Sequence, residues 1–180
     1  MSKSKLFLRI SLILAIISCS FYAYKLINPT IVLIQGSSVI NARDDRELSG
    51  FANNIFVGKV VTRISSKKLL PIPETQFKIQ VLDNIKGELK GNVTVRQLGG
   101  QDGTKLYLHH GDALLEPGKT YLFATRFLES EKWHTVVPVY GDIEIKNNVE
   151  LSNITERFKK AHKNEIPYDP DKIPLNKDNN

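Results

Sequence analysis

The sequence predicts a mainly β protein: a small closed or partly open β-barrel with one C-terminal helix, preceded by an N-terminal hydrophobic helix. Three observations carry this expectation. From Asn53 onward, short runs alternate apolar and polar side chains, as strands with one buried face must. Clusters containing glycine and proline separate these runs at short intervals, the punctuation of a chain that turns back on itself. Only beyond residue 150 does the apolar spacing change to three and four, the period of a helix.

Residues 1–25 read as a signal or membrane anchor. The segment "MSKSKLFLR" supplies a short positive region, an apolar run follows from Ile10 to Tyr24, and Lys25 closes it. Positive residues ahead of the run, with one directly after it, keep the N-terminus in the cytoplasm and place the bulk of the chain outside the cell membrane. Fifteen apolar residues suit a cleavable segment, because a complete span takes about 20. Counting from Leu6 with Arg9 reaching toward headgroups, or onward through Leu26 and Ile27, restores the length of a single-pass anchor. A third fate concerns the only cysteine: "IISC", Ile16 to Cys19, resembles the bacterial lipobox, which would make Cys19 a lipidation site and the protein a lipoprotein. Otherwise Cys19 is a small apolar residue within the span. The following "SFYAYKLINPTIVLI" is not the polar tether that usually follows a lipidated cysteine. With no cysteine beyond residue 19, the exported part has no intrachain disulfide, which fits a bacterial exported protein stabilised by its core alone.

Residues 26–45 read as a linker, with "IVLI" a candidate short strand, and residues 46–165 as the barrel domain. "RDDRELSGFANN" spaces Leu48 and Phe51 three apart, giving one or two helical turns that end at the Asn pair. In "NNIFVGKVVTRI", Ile55, Val57, Lys59 and Val61 point one way and Phe56, Gly58, Val60 and Thr62 the other. Both faces are thus apolar at the start, as in a wall strand covered on both sides. In "TQFKIQVLDNI", Phe77, Ile79 and Val81 alternate inward and Lys78 and Gln80 outward. "NVTVRQL" repeats the pattern through Val93 and Val95, and "TKLYLHH", "YLFATRFL", "WHTVVPVY" and "DIEIK" bring the total to six or seven strands. "LGGQDG" reads as a hairpin turn, lacking the lysine and following helix of a phosphate loop, and "LEPGKT" as a Pro-Gly turn. Leu151, Ile154, Phe158 and Ala161 share a helix face, Asn153 and Glu156 have the spacing of a capping box, and Lys159, Lys160, His162 and Lys163 load the last turn. Residues 166–180, with three prolines and few apolar side chains, read as a disordered tail.

The candidate chemistry is sparse. In "HHGD", His109, His110 and Asp112 are weak candidates for a metal site, and a metal-assisted hydrolase built on them is the enzyme alternative. Adjacent residues on a strand face oppositely, however, so one histidine at most joins a given site, while zinc takes three or four converging ligands. Asp102, Asp112 and Asp142 form a calcium cluster only if the fold brings them together. His134 beside Trp133 sits in a strand where one side chain is expected to face out and the other to pack. No nucleophile elbow and no paired-histidine zinc helix is present, so no catalytic residue and no cofactor is expected. "NVT" and "NIT" have the form of glycosylation sequons, without meaning in a bacterium lacking that machinery.

The formal charge is +6, but Lys3, Lys5, Arg9 and Lys25 belong to the N-terminal segment and leave 21 basic against 19 acidic residues. A surface so balanced shows no basic stripe in the sequence, and nucleic acid is therefore excluded as a partner at this level.

Three of the runs carry a resemblance. "NNIFVGKVV", "FKIQVLDNIKG" and "GKTYLFA" resemble the tissue-inhibitor-of-metalloproteinase and netrin-module superfamily, through Val57, Gly58, Lys59 and Val60, then Phe77, Ile79, Val81, Lys86 and Gly87, then Gly118, Tyr121 and Leu122. The resemblance spans residues 53–124 and implies an OB-like β-barrel, in agreement with the strand pattern. It does not carry inhibitor chemistry: the animal inhibitors chelate zinc through an N-terminal Cys-x-Cys, and this chain has no cysteine near the barrel. The expectation is a membrane-anchored, non-catalytic binding module whose partner is an extracellular protein or glycan.

Overall fold

The first long alternating run becomes β2 (Asn54–Lys67) in the computed structural model of the chain, which describes residues 3–35, 39–67 and 72–172. It pairs antiparallel with β3 (Glu74–Lys86), and β3 pairs antiparallel with β4 (Asn92–Leu98). β4 lies parallel to β8 (Trp133–Val136), β8 antiparallel to β7 (Thr120–Leu128), and β7 returns antiparallel to β2 over Asn54–Lys59. The ring is closed, with its strands adjacent in the order first, second, third, fifth, fourth. This is an OB-fold barrel. β9 (Asp142–Ile145) continues the sheet along Thr120–Phe123, beside β8 on the same edge of β7.

β2 and β7 are apolar on both faces because each borders two cores. Inside the barrel, Phe56, Val60, Phe77, Ile79, Val95, Tyr121, Phe123 and Val136 pack together, with the rings of Phe56 and Phe123 stacked 5.2 Å apart. Outside the wall, Ile55, Leu122 and Ala124 are covered by Leu48 of α2 (Asp45–Phe51), its C-cap Ala52, and Phe158 of α3 (Asn148–Lys163). Each such side chain contributes roughly 1.5–3 kcal/mol on burial. Gly58 sits where the β2–β3 register shifts, and a Cβ there would lie 2.5 Å from Ile79 Cγ2, so the barrel interior itself demands glycine. At the β3 end, Lys86 Nζ donates to Ser49 O at 2.7 Å and pairs with Glu165 at 2.9 Å, tying both helices' ends to the wall.

Several expectations shift. α3 begins at Asn148, not near Asn153: Asn147 Oδ1 accepts from Val149 N and Glu150 N, while Glu150 bonds back to Lys146 N, so the capping box is Asn147–Glu150 and Asn153 lies inside the helix. The "GGQDG" segment is not simply a turn. Gly99 and Gly100, at φ of 116° and 144°, redirect the chain out of the barrel, and β5 (Gly100–Asp102) pairs with β6 (Lys105–His109). The linker contains β1 (Thr30–Ile34), parallel to β6, which completes a separate three-stranded sheet. The strands thus number nine among the described residues. The tail is ordered through Lys172: Ile166 N donates to Arg46 O, and Tyr168 meets Phe51 edge-on at 4.9 Å; residues 173–180 lie outside the described residues.

N-terminal to all this runs α1 (Lys3–Ile27). Its stretch Phe7–Ile27, 21 residues at mean hydropathy 1.9, has no buried residue and is long and apolar enough to cross a membrane.

Replacing Phe158 with Ala should lower the unfolding free energy by about 3–5 kcal/mol, measured by urea denaturation of the detergent-solubilised chain through Trp133 fluorescence. A loss below about 1 kcal/mol would show that α3 is not part of the cooperative core.

Candidate functional site

The structure draws some of the sequence candidates together and scatters others. His109 ends β6 and His110 follows it with its side chain in solvent, so the two diverge as adjacent strand residues do. The chain then turns, Asp112 N donating to His109 O at 3.0 Å, and Asp112 reaches inward. There it meets Asp142, the first residue of β9, across the buried amide of Gln97. Gln97 Nε2 donates to Ala113 O at 2.8 Å and Asp142 Oδ2 at 3.1 Å and lies 3.4 Å from Asp112 Oδ1. Its Oε1 accepts from Leu115 N, and Val139 N donates to Asp112 Oδ2.

Burial, then the neighbouring Asp112, pushes the Asp142 carboxyl up to about 8. Burial also raises Asp112, against the lowering bonds from Val139 and Gln97 and the influence of His109. Two acids that share one amide in a poorly solvated place do not both ionise readily. They brace the loop 111–115 and the start of β9 against β4. Asp102, on β5 in the other sheet, does not join them. Among the described residues no group of three or more His, Cys, Asp or Glu is placed to hold a metal ion.

His134 and Trp133 correct a second expectation: neither faces out, and each is only 5% exposed. His134 lies in the barrel interior, its ring 4.8 Å from Phe127 and its Nδ1 3.5 Å from Thr125 Oγ1, and burial lowers its affinity for a proton. Trp133 is covered on the outer face, where Arg96 stands 5.7 Å over its ring and pairs with the buried Glu74 at 3.1 Å. These contacts line the seam where β4 meets β8 through only two residue pairs.

The feature that sequence reasoning missed is a groove of about 1090 Å³ between α3 and the outer face of the barrel wall. Val57, Leu82, Ile145 and Leu151 supply its apolar surface. Lys146, Lys159, Lys160 and Lys163 stand around it, against two acids, Asp83 and Glu156. None of the four lysines has an ion-pair partner among the described residues. The lysines of the last helical turn were legible as complements to the helix dipole. That Lys146 joins them depends on β9 delivering the chain to the helix start beside the same wall.

No protein-family model and no curated protein matches the sequence. Among solved structures, the chain is similar to the crystal structure of yeast Stn1 and Ten1, with 14% identity over 79% of this chain and 78% of that one, at a TM-score of 0.39. The chain is an OB-fold protein. The exclusion of nucleic acid, and with it the narrowing of partners to protein or glycan, is corrected here. A barrel of this topology is used by oligonucleotide binders, and overall charge balance is no measure of a folded surface on which four lysines without ion pairs among the described residues share one groove.

Asp142 sets a pH dependence with a definite sign. Its folded-state value of about 8 lies above the ordinary carboxyl value of about 3.9, so the folded state holds a proton that the unfolded state releases between these limits. Stability should therefore fall as pH rises from about 4 to about 8 through this group. Asp142→Asn should melt higher than the wild type at pH 8 and close to it near pH 4.5, read by thermal scanning; equal melting at both would rule out the buried proton.

Proposed function

We propose that this chain is a membrane-tethered, non-catalytic OB-fold module that binds an anionic ligand in the groove between α3 and the barrel wall, outside the membrane. The observation that carries the reading is the set of four unpaired lysines around an apolar surface. A concave site with a low-dielectric wall concentrates the field of its charges, and a ligand with both anionic and apolar groups satisfies both halves of it. The apolar helix supports the tether, and the positive residues ahead of it support the orientation.

Within this reading the anchor is uncleaved. Cys19 lies in a helix that continues unbroken to Ile27 and enters β1 almost at once, with no tether after the cysteine. The resemblance to the tissue-inhibitor-of-metalloproteinase and netrin-module superfamily belongs to the same proposal, as a relationship of barrel design rather than of inhibitor chemistry. Its motif residues fall on β2, β3 and the start of β7, with Gly87 and Gly118 in the turns beside them at positive φ, and Lys86 has a stapling role that accounts for a lysine there.

Two measurements test the proposal. The full chain in detergent should bind fluorescent oligothymidylate or fluorescent polyglutamate with an affinity that falls as salt rises, and Lys159→Glu with Lys160→Glu should weaken that binding about tenfold or more, equivalent to about 1.4 kcal/mol. Failure of both probes to bind, or binding indifferent to the charge reversal, would sink the groove as the site. Separately, Cys19→Ala should leave apparent mass and retention in the alkali-washed membrane fraction unchanged. A change of mass or release from the membrane would establish lipidation instead.

A further inference from the structure

α1 and the folded domain are joined almost without slack. The helix ends at Ile27 and β1 begins at Thr30, leaving only Asn28 and Pro29 between them. Asn28 closes the helix by donating from its backbone and side chain to Tyr24 O, Gln101 Nε2 of β5 donates to Leu26 O at 2.8 Å, and Thr30 N donates to Thr104 O at 2.8 Å. β1 then pairs with β6 over five residues. The sheet β1–β6–β5 is therefore held to the end of the helix by the two-residue connection and by the Gln101 hydrogen bond.

The register decides what this sheet presents. Residues paired across neighbouring strands share a face, so Ile31 stands with Leu106 and Gln101, and Leu33 with Leu108. On the opposite face Ile34 is buried. The outward face thus carries four aliphatic side chains and no acid. Ile31 and Leu33 are 59% and 58% exposed, although isolated strand edges and apolar sheet faces are ordinarily covered in soluble domains. Lys25, in the last helical turn, stands at the helix end of the sheet, while exposed Lys105, paired with Thr30 and Asp102, belongs to the opposite face.

We propose that this sheet face is a membrane-resting platform, seated in the headgroup region of the bilayer that α1 crosses, with Ile31 and Leu33 as its apolar anchors. The inference rests on the reading of α1 as a span. Its support is chain continuity and charge: Ile31 is four residues from the end of the span, within about 14 Å along the chain. Lys25 at the end of the helix complements anionic headgroups, as basic residues do for helices that lie at an interface. The platform would hold the barrel in one orientation on the membrane, rather than leave it swinging on a linker.

The test uses the full chain in vesicles of phosphatidylcholine and phosphatidylglycerol, in a Cys19→Ser background. An environment-sensitive fluorophore is placed in turn at Leu33→Cys, at Ser18→Cys within the helix, and at Val149→Cys, an exposed position of α3 outside the groove lining. Nitroxide-labelled lipids should quench the labels at 33 and 18 several-fold more than the label at 149, and iodide should quench them less. Ile31→Cys should repeat the result at 33 if one substitution disturbs the strand. A label at 33 that behaves like the one at 149 while the label at 18 is lipid-quenched overturns the platform and leaves the span intact. A label at 18 that iodide quenches overturns the span and the platform with it. Self-quenching at 33 that disappears when the protein is diluted in lipid means a second copy covers the face, and overturns the membrane as its occupant.

Discussion

The antiparallel pairing of Asn54–Lys59 with Thr120–Thr125 is the contact on which the rest of the structure depends. It closes the barrel, and the same two strands separate the interior core from the layer beneath the helices. Phe56 and Phe123 face inward from it, while Ile55, Leu122 and Ala124 face outward toward Leu48 and Phe158. Slipping the register by one residue would exchange these sets and break both cores at once, so each core enforces the pairing the other requires. The groove exists for the same reason. α3 is seated by Phe158 on the outer face of this seam, and its flank stands off the wall toward β3 and β9.

Closure at the other seam is weaker and is handled by polar groups. β4 and β8 exchange only two residue pairs, and there Glu74, Arg96 and Trp133 form a covered cluster. A buried ion pair adds little net stability against its desolvation cost, but it fixes which strands meet, since an unpaired Glu74 would be expensive. Gln97 does comparable work between Asp112 and Asp142. The domain thus uses three covered acids, Glu74, Asp112 and Asp142, as struts and leaves four lysines around the groove without ion pairs among the described residues.

Much of the fold was legible in the residues. The inward set Phe77, Ile79 and Val81, the two-faced burial of the first wall strand and the single C-terminal helix all follow from periodicity, because a strand repeats every two residues and a helix every 3.6. The helix start was misplaced because Asn153 and Glu156 have the same spacing as Asn147 and Glu150, and only the end of β9 shows which pair meets free backbone N–H groups. The glycines at 99 and 100 mark a sharp change of direction in either reading, but whether a strand or a turn follows is decided by β6 waiting to pair. The site was less legible. His109, His110 and Asp112 drew attention as residue types, whereas the groove is assembled from lysines on a strand end and a helix.

The sequence by itself determined the class of the protein: an apolar N-terminal segment of membrane length, then alternating strands that close a small barrel, then one amphipathic helix. These are properties of neighbours along the chain, and local sterics and periodic burial suffice to specify them. Tertiary structure alone decided that Asp112 and Asp142 share an amide 45 residues upstream of the latter, that Trp133 and His134 are both buried, and that Lys146 joins Lys159, Lys160 and Lys163. Those relations join residues distant in sequence. Their chemistry depends on which groups the folded chain strips of water together, and no periodicity along the chain records it.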